Sequence, residues 1–220
     1  LANHRRAQDP QKGDAFVTNC ARIGGICLVM GLLGACVNLT KSYPEKHYYV
    51  LEVARQGNAF ASDSMMTLRI RKFRAAPSFE GKEFVYRTGD GQYEADFYNE
   101  WFVSPNGMLT HQVQSWLTRS GRFHNVIDGS GPSKTSQILE ATVTALYGDY
   151  RVHPPRAVLG LDFFLVGEAP DSAEIMWHRE YREEVPLTKE SPDALVVGWT
   201  AALREVLVSL ENDLSKHAQR

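Results

Sequence analysis

Apolar residues recur along this chain with two periods, and the changes between them mark out the elements. From His47 to Arg55 (HYYVLEVAR) the run is aromatic and β-branched, which predicts a first strand. Met65–Phe73 alternates, with Met66, Leu68 and Ile70 on one face and Thr67, Arg69 and Arg71 on the other. That two-residue period predicts a strand with one buried face. Glu83–Thr88 and Gln92–Tyr98 flank Gly89-Asp90-Gly91, a tight-turn signal that predicts a hairpin. The period then lengthens. Ser104-Pro105 supplies an N-cap residue and a proline for the first helical position. Met108, Leu109, Val113, Trp116 and Leu117 follow as one apolar stripe at helical spacing, and Gly121 reads as the C-cap.

Beyond Gly121 the pattern returns to strands. Gly129–Lys134 reads as a loop. Gln137–Tyr150 sets Ala141, Val143, Ala145 and Tyr147 against Thr142, Thr144 and Leu146. Arg156–Val166 places Leu159, Leu161, Phe163 and Leu165 on one face, and Glu174–Glu184 carries Ile175 and Trp177 before becoming charged. Ser191-Pro192 repeats the helix-start signal. Val196, Trp199, Leu203, Val206 and Leu210 then continue a helix to near Leu214. Turn-length connections between neighbouring strands predict an α+β fold, a mostly antiparallel sheet with two main helices on one face.

The chain has 220 residues, 43% hydrophobic and 23% charged, with a formal net charge of −2. This is the composition of a globular domain, and no basic excess points to nucleic acid. Cysteine changes the picture more. Cys20, Cys27 and Cys36 all lie near the start, and none follows between Val37 and Arg220. The folded part therefore has no disulfide, thiolate metal site or cysteine nucleophile, and must be held by its core. His47, His111, His124, His153 and His178 are scattered without metal-ligand spacing, so no metal is expected. There is no Gly-x-Ser-x-Gly elbow and no phosphate loop. His111 and Asp128 could join a serine in a triad only by accident of folding. Neither an enzyme nor a cofactor is expected.

The first 35 residues carry the sharpest motif. Residues 1–22 are polar, with Arg5, Arg6, Lys12 and Arg22. The 13 residues Ile23–Ala35 hold no charge, too few to span a bilayer core and suited to a signal-peptide h-region. The run ends in Leu33-Gly34-Ala35-Cys36, which matches the lipobox of bacterial lipoprotein precursors. A thiol is the nucleophile that can take a diacylglyceryl group as a thioether. Gly34 and Ala35 are small enough for an intramembrane peptidase to reach the bond before Cys36, and Leu33 is its apolar anchor. Residues 1–35 are thus expected to be a signal peptide and 36–46 a lipidated tether, joined to the membrane through acyl chains on Cys36. Val37 follows Cys36. In enteric bacteria an Asp there retains lipoproteins at the inner membrane, so by analogy Val37 points to the periplasmic face of the outer membrane.

Three residues are candidates for a partner surface. Arg69 and Arg71 lie in a basic stretch that could meet anionic headgroups or an acidic partner. The plainer reading is a solvated strand face or a charged edge that blocks aggregation. Trp101 sits where the hairpin meets the helix. It reads more readily as a core plug than as surface.

With these elements in order, the chain from 47 to 220 resembles the ABC-type transport auxiliary lipoproteins, the PqiC-like family. The resemblance is carried by the lipobox at Cys36, Tyr48-Tyr49-Val50-Leu51, Tyr98-Asn99-Glu100-Trp101, and Trp199-Thr200-Ala201-Ala202-Leu203 in the final helix. It implies a non-catalytic auxiliary component of a lipid transport system, with an MCE-domain protein and an ABC transporter as partners. Self-association of copies is left open by the residues. The rival readings are another envelope interaction lipoprotein, such as an activator of peptidoglycan synthesis, and a lipid-modifying enzyme.

Overall fold

In chain order the elements are β1 (His47–Tyr49), β2 (Thr67–Ile70), β3 (Arg74–Ala75), a 3-10 turn (Pro77–Phe79), β4 (Glu83–Gly89) and β5 (Gln92–Trp101). There follow α1 (Pro105–Ser120), β6 (Asn125–Asp128), β7 (Gln137–Asp149), β8 (Arg156–Glu168), β9 (Ala173–Pro186) and α2 (Pro192–His217). The structure is a computed structural model and describes residues 45–60, 66–129, 137–168 and 173–217. Leu33, Gly34, Ala35, Cys36 and the tether up to residue 44 lie outside the described residues, as does the loop expected at Gly129–Lys134 from residue 130 onward.

The long strands β7, β8 and β9 form an antiparallel meander. Along the other edge of β7 run three short strands, each parallel to it: β2 at Gln137–Leu139, β3 at Thr142–Val143 and β4 at Gly148–Asp149. The hairpin β4–β5 is antiparallel, as its Gly-Asp-Gly turn predicts, and Gly91 takes φ 72° there. β1 adds in parallel to β5, and β6 in parallel to β2. The long ladders are thus antiparallel and the short ones mostly parallel, in one mixed sheet. The β6 strand was not foreseen, because four residues after a helix cap carry no period of their own.

Both helices pack on one core. Leu139, Ala141 and Val143 of β7 and Leu159, Leu161 and Phe163 of β8 join Leu109, Val113 and Leu117 of α1 and Trp199, Leu203, Val206 and Leu210 of α2. Trp199 is fully buried, and its indole N–H donates to the Val158 carbonyl at 3.1 Å. Gly198 lets α2 press on β8, since a Cβ there would lie 2.6 Å from the Ala157 Cβ. At the end of α1, Gly121 takes φ 68°, and a Cβ would lie 2.4 Å from the Phe60 carbonyl oxygen. This close crossing lets the Phe60 N–H donate to the Ser120 carbonyl at 2.8 Å.

One expected face is corrected. The ladder β7–β8 shifts register between Val143 and Ala145. A bulge inserts one residue and reverses the alternation beyond it. Tyr147 therefore leaves the face of Ala141 and Val143. It stacks on Phe79, its ring centroid 5.9 Å away, and its hydroxyl accepts from Arg182. Gly148 turns toward the helices instead, against Leu195.

Candidate interaction surface

β1 ends the sheet at one side, and there the chain does something the pattern His47–Arg55 does not foretell. The ladder stops at Tyr49, but the chain continues to Arg55 without a strand partner. Two of its N–H groups find partners on a helix instead. The Leu51 N–H donates to Met108 Sδ at 3.2 Å and the Val53 N–H to Gln112 Oε1 at 3.0 Å. Leu51 and Val53 are buried, while Val50, Glu52 and Ala54 face out. Between this segment and α1 runs a groove of about 780 Å³, lined by Val50, Val53, Val103 and Met108 with His111 and Arg119 among its polar groups. An apolar groove with a few polar groups, beside an unladdered segment, suits the capture of another chain.

The outer side of the same corner is aromatic. The β4–β5 register shifts between Glu83 and Val85, where β5 carries extra residues. Asp96 organises that bulge. Its Oδ1 accepts from the Tyr98 N–H at 2.8 Å and the Asn99 N–H at 3.1 Å. Its Oδ2 accepts from Asn99 Nδ2 at 2.7 Å and from the Tyr86 hydroxyl. Burial alone would raise the Asp96 pKa, but these bonds together outweigh it and hold the carboxyl below its ordinary value. Burial, and then the bond to Asp96, push the Tyr86 hydroxyl well above its ordinary value. Phe97 and Tyr98 stand out from the bulge, and Phe97 is 67% exposed. Tyr48 and Phe102, the latter 63% exposed, continue the strip with ring centroids 6.3 Å apart. Lys46 lies over the Phe97 ring at 4.5 Å and pairs with Glu100.

The structure does not bring Arg69, Arg71 and Trp101 together. Trp101 is 1% exposed, wedged between Phe84 and Trp199 with centroids 4.5 Å and 5.1 Å away. It is a core residue, and the partner-surface reading of it is corrected. Arg69 lies on β2, flanked by β6 and β7, so it is not on an edge. Leu68 and Ile70 beside it are buried, which turns Arg69 to the opposite face. Arg71 is exposed and pairs with Glu140. The local signal for the real bulge was Asp96 followed three residues later by Asn99, since short polar side chains that bond nearby main chain favour turns over ladders.

Other chemistry is sparse. On the outer sheet face His178 Nε2 lies 2.6 Å from Asp162 Oδ1, with Phe164 stacked on the imidazole. Among the described residues no three His, Cys, Asp or Glu side chains form a metal-binding group. No helix among them is long and apolar enough to cross a membrane.

The family model described as ABC-type transport auxiliary lipoprotein component matches residues 49–210, from β1 almost to the end of α2. A crystal structure of a Xanthomonas campestris protein superposes with a TM-score of 0.69 at 18% identity, covering 79% of this chain and 97% of that one. A second crystal structure, of an uncharacterized protein, superposes with a TM-score of 0.60 at 19% identity, covering 77% and 99%. These two share the fold. No curated protein sequence matches significantly.

Proposed function

Because the chain belongs to the family of ABC-type transport auxiliary lipoprotein components, we propose that it is the membrane-held docking subunit of an MCE-type lipid transport system. Acyl chains on Cys36 would anchor it to the periplasmic face of the outer membrane, with residues 36–46 as tether. It would make no covalent chemistry of its own. Its contribution would be a surface held near the membrane at high local concentration. The observation that carries this reading is the family match, which spans both the groove and most of the aromatic strip. The lipobox supports the anchor, and the groove beside Val50–Ala54 supplies a place for a partner segment. The groove would take an extended stretch of the MCE-domain protein, with side chains entering beside Val103 and Met108.

The test is a photo-crosslinking residue placed at Val103 in the full-length chain, in cells that express the whole system. The expected product is a crosslink to the MCE-domain protein. A crosslink instead to a cell-wall synthase would replace this reading with that of a peptidoglycan-synthesis activator.

A further inference from the structure

The aromatic strip is not needed by the groove. None of Tyr48, Phe97, Tyr98 and Phe102 lines it. We propose that the strip is a lipid-contact surface, seated on the headgroup region of the membrane that the acyl chains on Cys36 enter. This rests on the lipoprotein reading above and adds an orientation to it.

Position is the first argument. Lys46, over the Phe97 ring, lies ten residues after Cys36. Fully extended, those ten residues reach no more than roughly 33–36 Å. The tether runs directly into β1, which carries Tyr48. The strip therefore includes the part of the described domain nearest in sequence to the lipid-bearing residue.

Chemistry is the second. Two well-exposed phenylalanines beside two tyrosines give rings that shed water at an apolar boundary and hydroxyls that stay wet. The charges around them leave no excess of cations. Lys46 pairs with Glu100, which faces Glu83 across the ladder, and Lys82 donates to the Phe102 carbonyl. With Lys46 and Lys82 set against Glu83, Asp96 and Glu100, the strip has no cationic excess to draw it to anionic lipid, and it fits zwitterionic headgroups. Its contact should therefore resist salt.

Rigidity is the third. The four bonds to Asp96 fix the bulge before any contact is made. Seating Phe97 and Tyr98 then orders no loop, which removes a cost that flexible segments bear on binding.

The test uses the full chain, expressed in a Gram-negative host, purified from its membranes and reconstituted in phosphatidylcholine vesicles whose acyl chains carry bromine. Phe97→Trp adds a reporter at an exposed position; Trp101, Trp116 and Trp199 are buried and Trp177 is half-buried, so the added emission is read as the difference from the unaltered chain in the same vesicles. Mass spectrometry of the same sample reads the state of Cys36. The expected result is an acylated Cys36, a blue-shifted added emission, and loss of at least about half of it to the bromines, as for a ring at the headgroup–acyl boundary. Raising salt should leave that quenching unchanged. An acylated chain whose added emission escapes the bromines and is quenched by iodide would overturn the inference and leave the anchor standing. The same escape with a crosslink from the strip to an envelope protein would overturn it too and give the strip to a protein partner. An unmodified Cys36 would remove both the inference and the lipoprotein reading beneath it.

Discussion

The Trp116 indole N–H donates to Glu211 Oε2 at 2.8 Å, and this bond joins the two helices across the core. Glu211 does more than this. Arg55 meets it through Nε and Nη2, both at 2.9 Å, and Arg122 Nε lies 3.7 Å away. Arg55 also donates to the carbonyls of Gly57 and Asn58. One buried carboxylate thus pins the segment that walls the groove to both helices.

Glu211→Ala would leave Arg55, whose side chain is 7% exposed, buried without its counter-charge. Breaking such a pair from one side costs about 3–5 kcal/mol. Urea unfolding followed by tryptophan fluorescence should show a loss of that size. A loss below about 1 kcal/mol, the scale of an exposed pair, would mean that the network does not hold the segment.

Acid should act through the same group. Burial pushes the Glu211 carboxyl up, but the bonds from Arg55 and Trp116 and the charges of Arg55 and Arg122 outweigh it and hold the pKa below its ordinary value. A carboxyl depressed in the folded state stabilises fully above its unfolded value of about 4.3, and that contribution is lost as pH falls through the folded value. Asp96, Asp149 and Asp213 are depressed as well and share the trend. Below about pH 4.3, Glu211→Gln should therefore lose stability less steeply than the unaltered chain. Parallel curves would contradict the assignment.

Asp96→Ala should loosen the aromatic bulge. The Tyr98 and Asn99 amides lose their acceptor, so their hydrogen exchange should quicken. The Tyr86 hydroxyl, raised first by burial and then by Asp96, should titrate closer to its ordinary value. The stability cost should be about 1–3 kcal/mol. Unchanged exchange at both amides would show that the bulge holds its shape without Asp96.

Groove and outer face should separate in a partner assay. Val103→Asp places a charge in the groove wall and should cut capture of the MCE-domain protein by at least about tenfold, a loss of about 1.4 kcal/mol. Arg71→Ala removes only an exposed pair with Glu140 and should change stability by less than about 0.5 kcal/mol. Its capture should be unaffected. The reverse ranking would move the docking surface to the basic strand.

What could be read from the residues was what is local. The stripe Met108–Leu117 and the caps Ser104 and Gly121 mark α1 because a helix repeats over a few residues. The Gly89-Asp90-Gly91 turn marks the hairpin for the same reason. Features set by distant partners were hidden. Trp116 counts as one more apolar residue until Glu211, 95 residues away, is beside it. The bulge after Val143 turns Tyr147 to the other face with no change in its own pattern. Trp101 was legible as core, while the exposed rings beside it depend on a bulge that only Asp96 and Asn99 hinted at.

The account rests on anchorage through Cys36, and fractionating envelopes that contain the unaltered chain or Cys36→Ala tests it most directly. The unaltered chain should sediment with outer membranes and come off only with detergent. Cys36→Ala should keep its leader, leave the outer-membrane fraction and fail to restore transport, while its domain unfolds at the same temperature. A Cys36→Ala chain that is cut to the same mature length, stays with outer membranes and restores transport in full would contradict the account.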